Sequence, residues 1–482
     1  MTHTIRLLSL LAILTILASC NLRHAAQPWA YAAPYTCCSW EGEEKEVPRC
    51  LLTQDPPCCE EEACEEIPET LDLCEVLDIA LKKNPKTRSS WAKARIAAAW
   101  WGMSQRNFYP QIDFNAFWVT LRESDFFGMD KAMVNKFREF SPWVSLNYLI
   151  LDFGTTVYRS QVFCQQLMSA NWAHNREIQT VIQTVSSDYY DYITQGEKVH
   201  AAKANLEDAT TVLKATEAKR KAGVVSITDE LIAKTQVSQE KVRLLSDEQA
   251  EADIKAKLLA DMGVPANECV QFETIVDICE SDSLRCSLDN YLCLAYLSRP
   301  DLQGRYSELL SADSFVKAAR SDQLPKLSFQ GTYGKKFFDD WVCTNGEDYT
   351  AQINLTFPLF AGYYYENKIR QAEADRELAK SKLTEMELGM VQQVVTSYQD
   401  LQYAREQLEV NRTYVDLANQ TFAATLANYK NGTVDITTLM KSLTNLSNAR
   451  FSLANAKKLW FDAVTNLTYA TGTLNADCRN TL

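Results

Sequence analysis

The sequence has 482 residues, fifteen cysteines and a formal net charge of −13. Residues 41–75 account for most of that charge, because they hold thirteen acidic residues against Lys45 and Arg49. The rest of the chain is close to neutral, which argues against a nucleic-acid partner. With its prolines and Gly42, the acidic stretch is predicted to belong to an extended leader over residues 20–70 and not to a packed domain.

The N-terminus is typical of an export signal that ends in a lipidation site. Arg6 precedes an apolar run over residues 7–18, which is shorter than the ~20 residues that a membrane-spanning helix needs. The run closes in the letters LASC, which resemble a bacterial lipobox. We therefore predict a lipoprotein signal peptide over residues 1–19 and lipid on Cys20, with an ordinary secretory signal as the alternative. Asn21, instead of aspartate, favours the outer membrane over the inner membrane.

Eight of the fifteen cysteines lie before residue 75. An exported chain meets an oxidising compartment, so disulfide bonds are expected for the seven that do not take lipid. Metal ligation is the alternative, but these seven include no Cys-x-x-Cys pair and no histidine stands among them, so we predict no metal site. The disulfide candidates are Cys37, Cys38, Cys50, Cys58, Cys59, Cys64 and Cys74.

The remainder of the chain repeats itself. Residues 223–231 read GVVSITDEL, and residues 432–440, 209 positions later, read GTVDITTLM. A step of 215 relates LCEVLDIALKKNP to LDNYLCLAYLSRP, so the second copy is six residues shorter, and we place the shortening in a loop between residues 121 and 142. A tandem duplication is predicted. Its parts are repeat 1 at 71–267, a linker at 268–286, repeat 2 at 287–476 and a tail at 477–482.

Each repeat begins with two short helices and continues with two runs in which apolar and polar residues alternate. Ile112, Phe114 and Trp118, for example, alternate with polar neighbours, which is the pattern of a half-buried strand. A soluble sandwich is the alternative, but no second sheet is available to cover four strands, and aromatic residues gather near their ends as in membrane barrels. Transmembrane strands are therefore predicted at about 111–121, 142–151, 326–335 and 349–359.

Four strands cannot form a closed membrane sheet. An open edge in lipid leaves backbone groups unpaired at a cost of several kcal/mol each, and small barrels need at least ~8 strands. Several copies of the chain are therefore expected to contribute to one barrel.

Two long helical runs follow the strands, at about residues 155–222 and 364–431, without a proline. At 1.5 Å per residue each would reach ~100 Å. Apolar residues recur at every seventh position, which predicts left-handed, coiled-coil-like packing. The remaining surface is polar, which suits the wall of a hollow structure with water on both sides. The seam residues are Val394, Leu401, Leu408, Val415, Phe422 and Tyr429 in the second run and Val185, Tyr192, Val199, Leu206 and Leu213 in the first.

Gly223 and Gly432 lie where the two long helices must end and the chain must reverse. Glycine permits the left-handed backbone that ends a helix, and Ser226 or Asp435 can cap the returning helix. A plain turn is the alternative, but the pattern shared by both copies favours exposed tips with a common contact role.

The order of these motifs resembles that of TolC-type outer-membrane efflux proteins of the lipidated branch. The resemblance covers roughly residues 70–475. It rests on ALKKNP at 80–85, on YLILDFG at 148–154 and FPLFAG at 357–362, on the paired tips, and on the closing glycines Gly263 and Gly472.

The resemblance implies a mixed α/β, mostly α membrane protein: a homotrimer with a twelve-stranded outer-membrane barrel, four strands per chain, continued by a periplasmic α-helical coiled-coil barrel. Its implied function is a passive exit duct of a tripartite efflux or type I secretion system, anchored by lipid. A periplasmic adaptor (membrane fusion protein) would join the tips to an inner-membrane transporter. The implied adaptor contacts are Gly223, Val224, Val225, Ser226, Thr228 and Asp229 with Gly432, Thr433, Val434, Asp435 and Thr437.

One departure concerns the periplasmic gate. Some relatives narrow the mouth with aspartates, but the matching positions here are Thr438 and Lys441. Acidic residues remain nearby, so the candidate gate consists of Asp229, Glu230, Asp435, Thr438 and Lys441. The resemblance therefore does not carry over cation selectivity.

Two other classes of protein are the alternatives. An enzyme is not predicted, since the four histidines His3, His24, His174 and His200 form no metal motif and no phosphate loop or nucleophile elbow occurs, so no cofactor is expected either. A structural periplasmic coiled-coil lipoprotein without transport activity is the alternative function. It would dissolve without detergent, whereas a duct would need detergent for extraction.

Overall fold

The computed structural model describes residues 26–40, 70–125, 133–268, 270–273, 287–338 and 346–474. The predicted signal peptide with Cys20, the tail, and Cys50, Cys58, Cys59 and Cys64 lie outside these residues. The chain divides into two compact units. The first contains the described residues of Met1–Pro34, Lys93–Asn171 and Gly304–Thr384, and the second contains those of Tyr35–Ala92, Trp172–Gln303 and Glu385–Leu482.

Long helices dominate the described residues, and none of them combines the length and the apolar content that a membrane-crossing helix needs. The helices are α1 (Leu73–Lys83), α2 (Pro85–Ser104), α3 (Thr155–Lys221), α4 (Ile227–Asp261), α5 (Leu288–Ser298), α6 (Pro300–Ser321), α7 (Tyr364–Asn431) and α8 (Ile436–Thr471). The strands are β1 (Thr70–Leu71), β2 (Gln111–Asp125), β3 (Met133–Leu151), β4 (Gln271–Phe272), β5 (Lys326–Phe338) and β6 (Gly346–Thr356).

Four strands of the first unit form one antiparallel sheet in the order β2-β3-β5-β6. The pairing of β2 with β3 runs without a shift from Gln111↔Asn147 to Asp125↔Met133. The ladder between β3 and β5 shifts once, between Leu149 and Leu151. Because side chains alternate across a strand, this register places the alternating apolar residues of each strand on one face of the sheet.

The strand bounds differ from the predicted ones. The region between residues 121 and 142, which we expected to be a loop, is strand on both sides of the undescribed residues 126–132, so the six-residue difference between the copies falls largely within strands. Charged residues such as Arg122 and Arg138 end the apolar alternation there, but backbone pairing continues because ladder hydrogen bonds need no apolar side chains. In the second copy β5 extends past residue 335 for the same reason. Strand β6 ends three residues early, at Thr356, because Pro358 cannot donate to a ladder.

The first unit ties the leader to its helices through one asparagine. Asn171 of α3 accepts a hydrogen bond from the Ala33 backbone N–H at 3.3 Å and donates one to the Tyr31 carbonyl at 2.8 Å. Next to these hydrogen bonds, Ala32 packs with buried residues of α2 and α3, among them Trp101 and Leu167. Residues 31–33, in the first half of the leader, are therefore docked on the helices, and the acidic part that follows them lies outside the described residues.

The second unit packs α8 against α3 and α7. Its core includes Val212 of α3, Phe422 of α7 and Leu439 of α8, all of them buried. Polar contacts continue this packing along α3 and α8, since Asn205 donates to Ser447 at 2.8 Å and Ser187 donates to Asp462 at 2.9 Å. The two helices are therefore antiparallel and in contact over many turns.

Most of the predicted seam positions are buried in α7, and fewer of them are buried in α3. In α7 all of the predicted positions except Val415 are buried. In α3, Val185 and Val199 are buried, but Tyr192, Leu206 and Leu213 are only half-buried. The buried positions of the lower part of α3 are instead Ala202, Asn205, Ala209, Val212 and Thr216, which recur at the three- and four-residue steps of a heptad. Small and polar residues allow close helix approach, and they form the buried face of α3 there. In this lower part, the heptad of large apolar residues lies on the neighbouring, half-buried face.

Candidate functional site: an open sheet and two helical tips

The sheet of the first unit is open at both edges and apolar on its surface. Within the described residues, β2 pairs only with β3 and β6 only with β5. Trp118 on β2 is 72% exposed and Ile353 on β6 is 67% exposed, and they have many exposed apolar neighbours. Water does not stabilise such a surface, whereas lipid does, provided that every edge finds a backbone partner.

At the first tip, helix α3 ends in a Schellman motif around Gly223. The glycine has a φ of +74°, its N–H donates to the Arg220 carbonyl, and the N–H of Val224 donates to the Lys219 carbonyl at 3.0 Å. Helix α4 then begins with a capping box, because the side chain of Ser226 accepts from the Asp229 N–H and that of Asp229 accepts from the Ser226 N–H.

At the second tip, helix α7 ends in the same way around Gly432. The glycine has a φ of +82°, and the N–H of Thr433 donates to the Asn428 carbonyl at 3.0 Å. Asp435 caps α8 by accepting from the Thr438 N–H at 3.2 Å. These hydrogen bonds confirm that both glycines end a helix and that Ser226 and Asp435 cap the returning helices, whereas the contact role of the tips stays a prediction.

A side-chain contact links the two tips. The Lys219 ammonium donates to the Tyr429 carbonyl and lies 4.3 Å from the centre of the Tyr429 ring. The Tyr429 hydroxyl in turn donates to Thr216 at 3.1 Å and is buried. Sequence reasoning missed this contact, because helical periodicity does not report which residues of two separate helices come into contact.

The acidic residues of the candidate gate are engaged within their own tips. Glu230 is buried and binds Arg220 and Lys234, and these hydrogen bonds hold its pKa below the ordinary value of 4.5. The hydrogen bonds that Asp435 accepts from Thr438 likewise lower the pKa of this carboxyl group. Thr438 and Lys441 are exposed. Two cations therefore neutralise Glu230, whereas Asp229 and Asp435 accept hydrogen bonds from the backbone at the helix starts.

The described cysteines include Cys37, Cys38 and Cys74 of the disulfide candidates. The sulfur atoms of Cys37 and Cys38 are 3.9 Å apart, which is longer than a disulfide bond, and Cys74 is exposed. The disulfides therefore remain a prediction. Among the described residues, no group of three or more His, Cys, Asp and Glu side chains is arranged to hold a metal ion.

Comparisons with known proteins agree with this architecture. A family model described as outer membrane efflux protein matches residues 76–264 and 292–473. Protein CyaE of Bordetella pertussis is 24% identical over 385 residues, which are 79% of this chain and 80% of that protein. The outer-membrane channel OprN has a TM-score of 0.76 at 15% identity, covering 83% of this chain and 90% of that one. The CmeC outer membrane channel of Campylobacter jejuni has a TM-score of 0.74 at 16% identity, covering 84% and 86% of the two chains.

The open apolar sheet and the long helices that end in ordered tips are those of an outer-membrane channel protein. The family match covers well over half of the sequence, and the chain therefore belongs to the outer membrane efflux protein family. It is an outer-membrane duct for efflux or secretion that reaches into the periplasm, as the sequence predicted.

Proposed function

We propose that three copies of the chain build one passive exit duct, with a twelve-stranded barrel in the outer membrane and a helical coiled-coil barrel in the periplasm. The observation that supports this most strongly is the four-stranded sheet with exposed apolar side chains and two open edges. In lipid each unpaired backbone group costs several kcal/mol, so the edges β2 and β6 must pair with other copies. Three copies supply twelve strands, above the ~8 that a small barrel requires.

The proposed tandem duplication predicts which helices meet between copies. Within one chain, α8 packs on α3. With the step of 209 residues, α8 of the second repeat corresponds to α4 of the first, and α3 of the first corresponds to α7 of the second. We therefore expect α4 of one copy to pack on α7 of the next copy. Both faces are apolar and exposed: Leu231 and Leu245 on α4 are accompanied on α7 by Tyr403, Val410 and Leu417, which recur at every seventh residue. The same interface would close a ring of six repeats.

The remaining parts of the proposal concern the ends of the duct. Lipid on Cys20 would hold the mature chain at the outer membrane, and disulfides would stiffen the acidic leader. A periplasmic adaptor would dock on the two tips and couple the duct to an inner-membrane transporter of a tripartite efflux or type I secretion system. The acidic residues Asp229 and Asp435 would line the periplasmic mouth, with Glu230, Thr438 and Lys441 beside them. The chain would contribute no catalysis.

Cysteine crosslinking tests the proposed assembly at one register. Asn205 contacts Ser447 within the chain, so the same step of 209 places Ser238 of one copy opposite Tyr414 of the next. Both side chains are exposed in the single chain. The double variant Ser238→Cys, Tyr414→Cys is expected to form covalent trimers in detergent under mild oxidation, visible on a denaturing gel.

Two controls accompany this experiment. Each single variant reports crosslinks made through the native cysteines, and the pair Ser238→Cys, Tyr403→Cys offers an exposed α7 position that is about 16 Å out of register. Covalent trimers in the matched pair alone support the proposal. Equal crosslinking in both pairs would contradict the register. A protein that remains monomeric and soluble without detergent would contradict the duct itself.

A further inference from the structure

The first unit contains a cleft. It lies where α3, the end of α6 and the start of α7 meet, and it has a volume of about 750 Å³. Small-molecule sites in proteins usually enclose about 300–1,000 Å³. The lining residues are Arg159, Val162, Phe163, Gln166, Ser311, Ala312, Phe315 and Lys368.

One end of the cleft carries an excess of positive charge. The Asp322 carboxylate binds Arg159 at 2.9 Å, Lys326 at 2.7 Å and Lys368. Three cations therefore share one buried carboxylate, and a net positive charge of about two remains. Burial alone would raise the pKa of Asp322, but the hydrogen bonds from Lys326 and Lys368 and the charge of Arg159 lower it to about 2. The carboxylate thus stays ionised, and its compensation of the cations is incomplete.

The other end of the cleft is apolar. Val162 is buried, and the rings of Phe163 and Phe315 are partly exposed on opposite helices. The Ser311 hydroxyl donates to the Val162 carbonyl at 3.2 Å, so its donor needs no water molecule when the cleft is covered. An aromatic or aliphatic body would therefore gain free energy by covering this surface.

Arg159 and Lys368 occupy corresponding places. They are separated by the same step of 209 that relates the two tips, so each lies in the early turns of its own long helix, α3 or α7. Asp322 lies just beyond the end of α6 and binds both cations. Two donors that converge from separate helices suit one anionic group better than a single flexible lysine does.

We propose that this cleft binds an amphipathic organic anion, with its carboxylate or sulfonate on Arg159 and Lys368 and its apolar body between Phe163 and Phe315. The inference does not depend on the number of copies in the duct. It adds a ligand site of defined chemistry to a protein whose described function is passage.

Photoaffinity labelling of the full-length protein in lipid nanodiscs tests the proposal. The probe is 4-benzoylbenzoate, an aryl carboxylate, and benzophenone serves as its uncharged counterpart. Labelled peptides are identified by mass spectrometry. Saturable labelling by 4-benzoylbenzoate is expected in the peptides that contain residues 159–166 and 311–315, with benzophenone labelling them at least about tenfold less efficiently, since a charge-assisted hydrogen bond contributes a factor of this order.

Variants separate charge from shape. The double variant Arg159→Gln, Lys368→Met is expected to reduce 4-benzoylbenzoate labelling at least about tenfold, and the matched control Arg320→Gln, an exposed arginine that pairs with Glu373, is expected to leave it unchanged. Ala312→Trp keeps the cations but fills the cleft, so it should also abolish labelling. This variant tests the site independently if the double variant fails to fold.

Three results would overturn the proposal. The first is labelling confined to other peptides, and the second is equal labelling by the charged and uncharged probes. The third is an absence of labelling in the native protein. Trimers on a native gel from the same sample report the proposed function separately, so the two failures can be told apart.

Discussion

The two helical tips have the same turn and different surroundings. Both end in a Schellman glycine and both restart on a capping side chain. However, Ile227 of the first tip is 53% exposed, whereas Ile436, the corresponding residue of the second tip, is 6% exposed and belongs to the helical core. A second corresponding pair, Glu230 and Leu439, differs as well. Glu230 of the first tip is buried and bound by two cations, whereas Leu439 of the second tip is a buried apolar residue. The local sequence therefore determines the turn geometry, and the neighbouring helices determine how much each tip residue is buried.

The largest expected effect comes from the same substitution at both tips. Ile436→Ala removes a buried side chain from the core and should reduce the local stability of the α7–α8 hairpin by about 2–5 kcal/mol. Ile227→Ala removes an exposed side chain and should change the stability of the α3–α4 hairpin in the dissociated chain by no more than about 0.5 kcal/mol. Hydrogen–deuterium exchange of the two hairpins measures both. Equal protection losses at the two tips would show that their surroundings do not differ.

A smaller effect is expected at the tip glycines. Apart from each glycine and its two chain neighbours, no described atom lies within 4 Å of the place where a Cβ would stand at Gly223 or Gly432, so the main cost of Gly→Val is the left-handed backbone strain, about 1–2 kcal/mol. The double variant should form normal trimers but lose crosslinking to the adaptor. Adaptor crosslinking at the native level would contradict the assignment of the tips as the docking surface.

The contrasting control for this prediction is the other pair of turn glycines. A Cβ at Gly263 would stand 2.6 Å from the Lys83 carbonyl oxygen, and one at Gly472 would stand 2.8 Å from Arg299 Cα. Gly263→Ala and Gly472→Ala should therefore reduce the yield of folded trimer, because the backbone on the facing side has to move. The comparison separates a docking defect from a folding defect.

The smallest expected effect is a pH dependence of the first tip. Because hydrogen bonds from Lys234 and Arg220 lower the pKa of Glu230, the stability that this carboxylate contributes is present above the ordinary value of 4.5 and is lost as the pH falls through the lower folded value. Exchange protection of residues 220–234, corrected for intrinsic rates, should decrease as the pH falls below the ordinary pKa of 4.5.

The variant Glu230→Gln is expected to abolish this dependence at the first tip and to preserve the dependence that Asp435 confers on the second tip, where the pKa of the carboxyl group is also lowered. The variant Asp435→Asn should do the reverse. A first tip that keeps its pH response without Glu230 would show that another group controls it.

Much of the fold was predictable because its signals are local. The apolar alternation of Ile112, Phe114 and Trp118 identified a strand, and Gly223 with Ser226 identified a helix end followed by a helix start. The strand ends were less predictable, since pairing continues into charged positions such as Arg122, where the side-chain pattern no longer reports it. Of the candidate site, the glycines and caps were predicted, whereas the link between Lys219 and Tyr429 was not.

By itself, the sequence determined the order of strands, helices and tips. It also predicts that further copies are needed, because unpaired backbone groups are costly in lipid. Tertiary structure alone decided that Ala202, Ala209 and Val212, rather than the larger residues beside them, form the buried face of α3. It also decided which tip is covered and brought Arg159, Asp322 and Lys368 together. The physical reason is that close helix contacts between small residues, and charges that meet from distant segments, leave no periodic pattern in a chain.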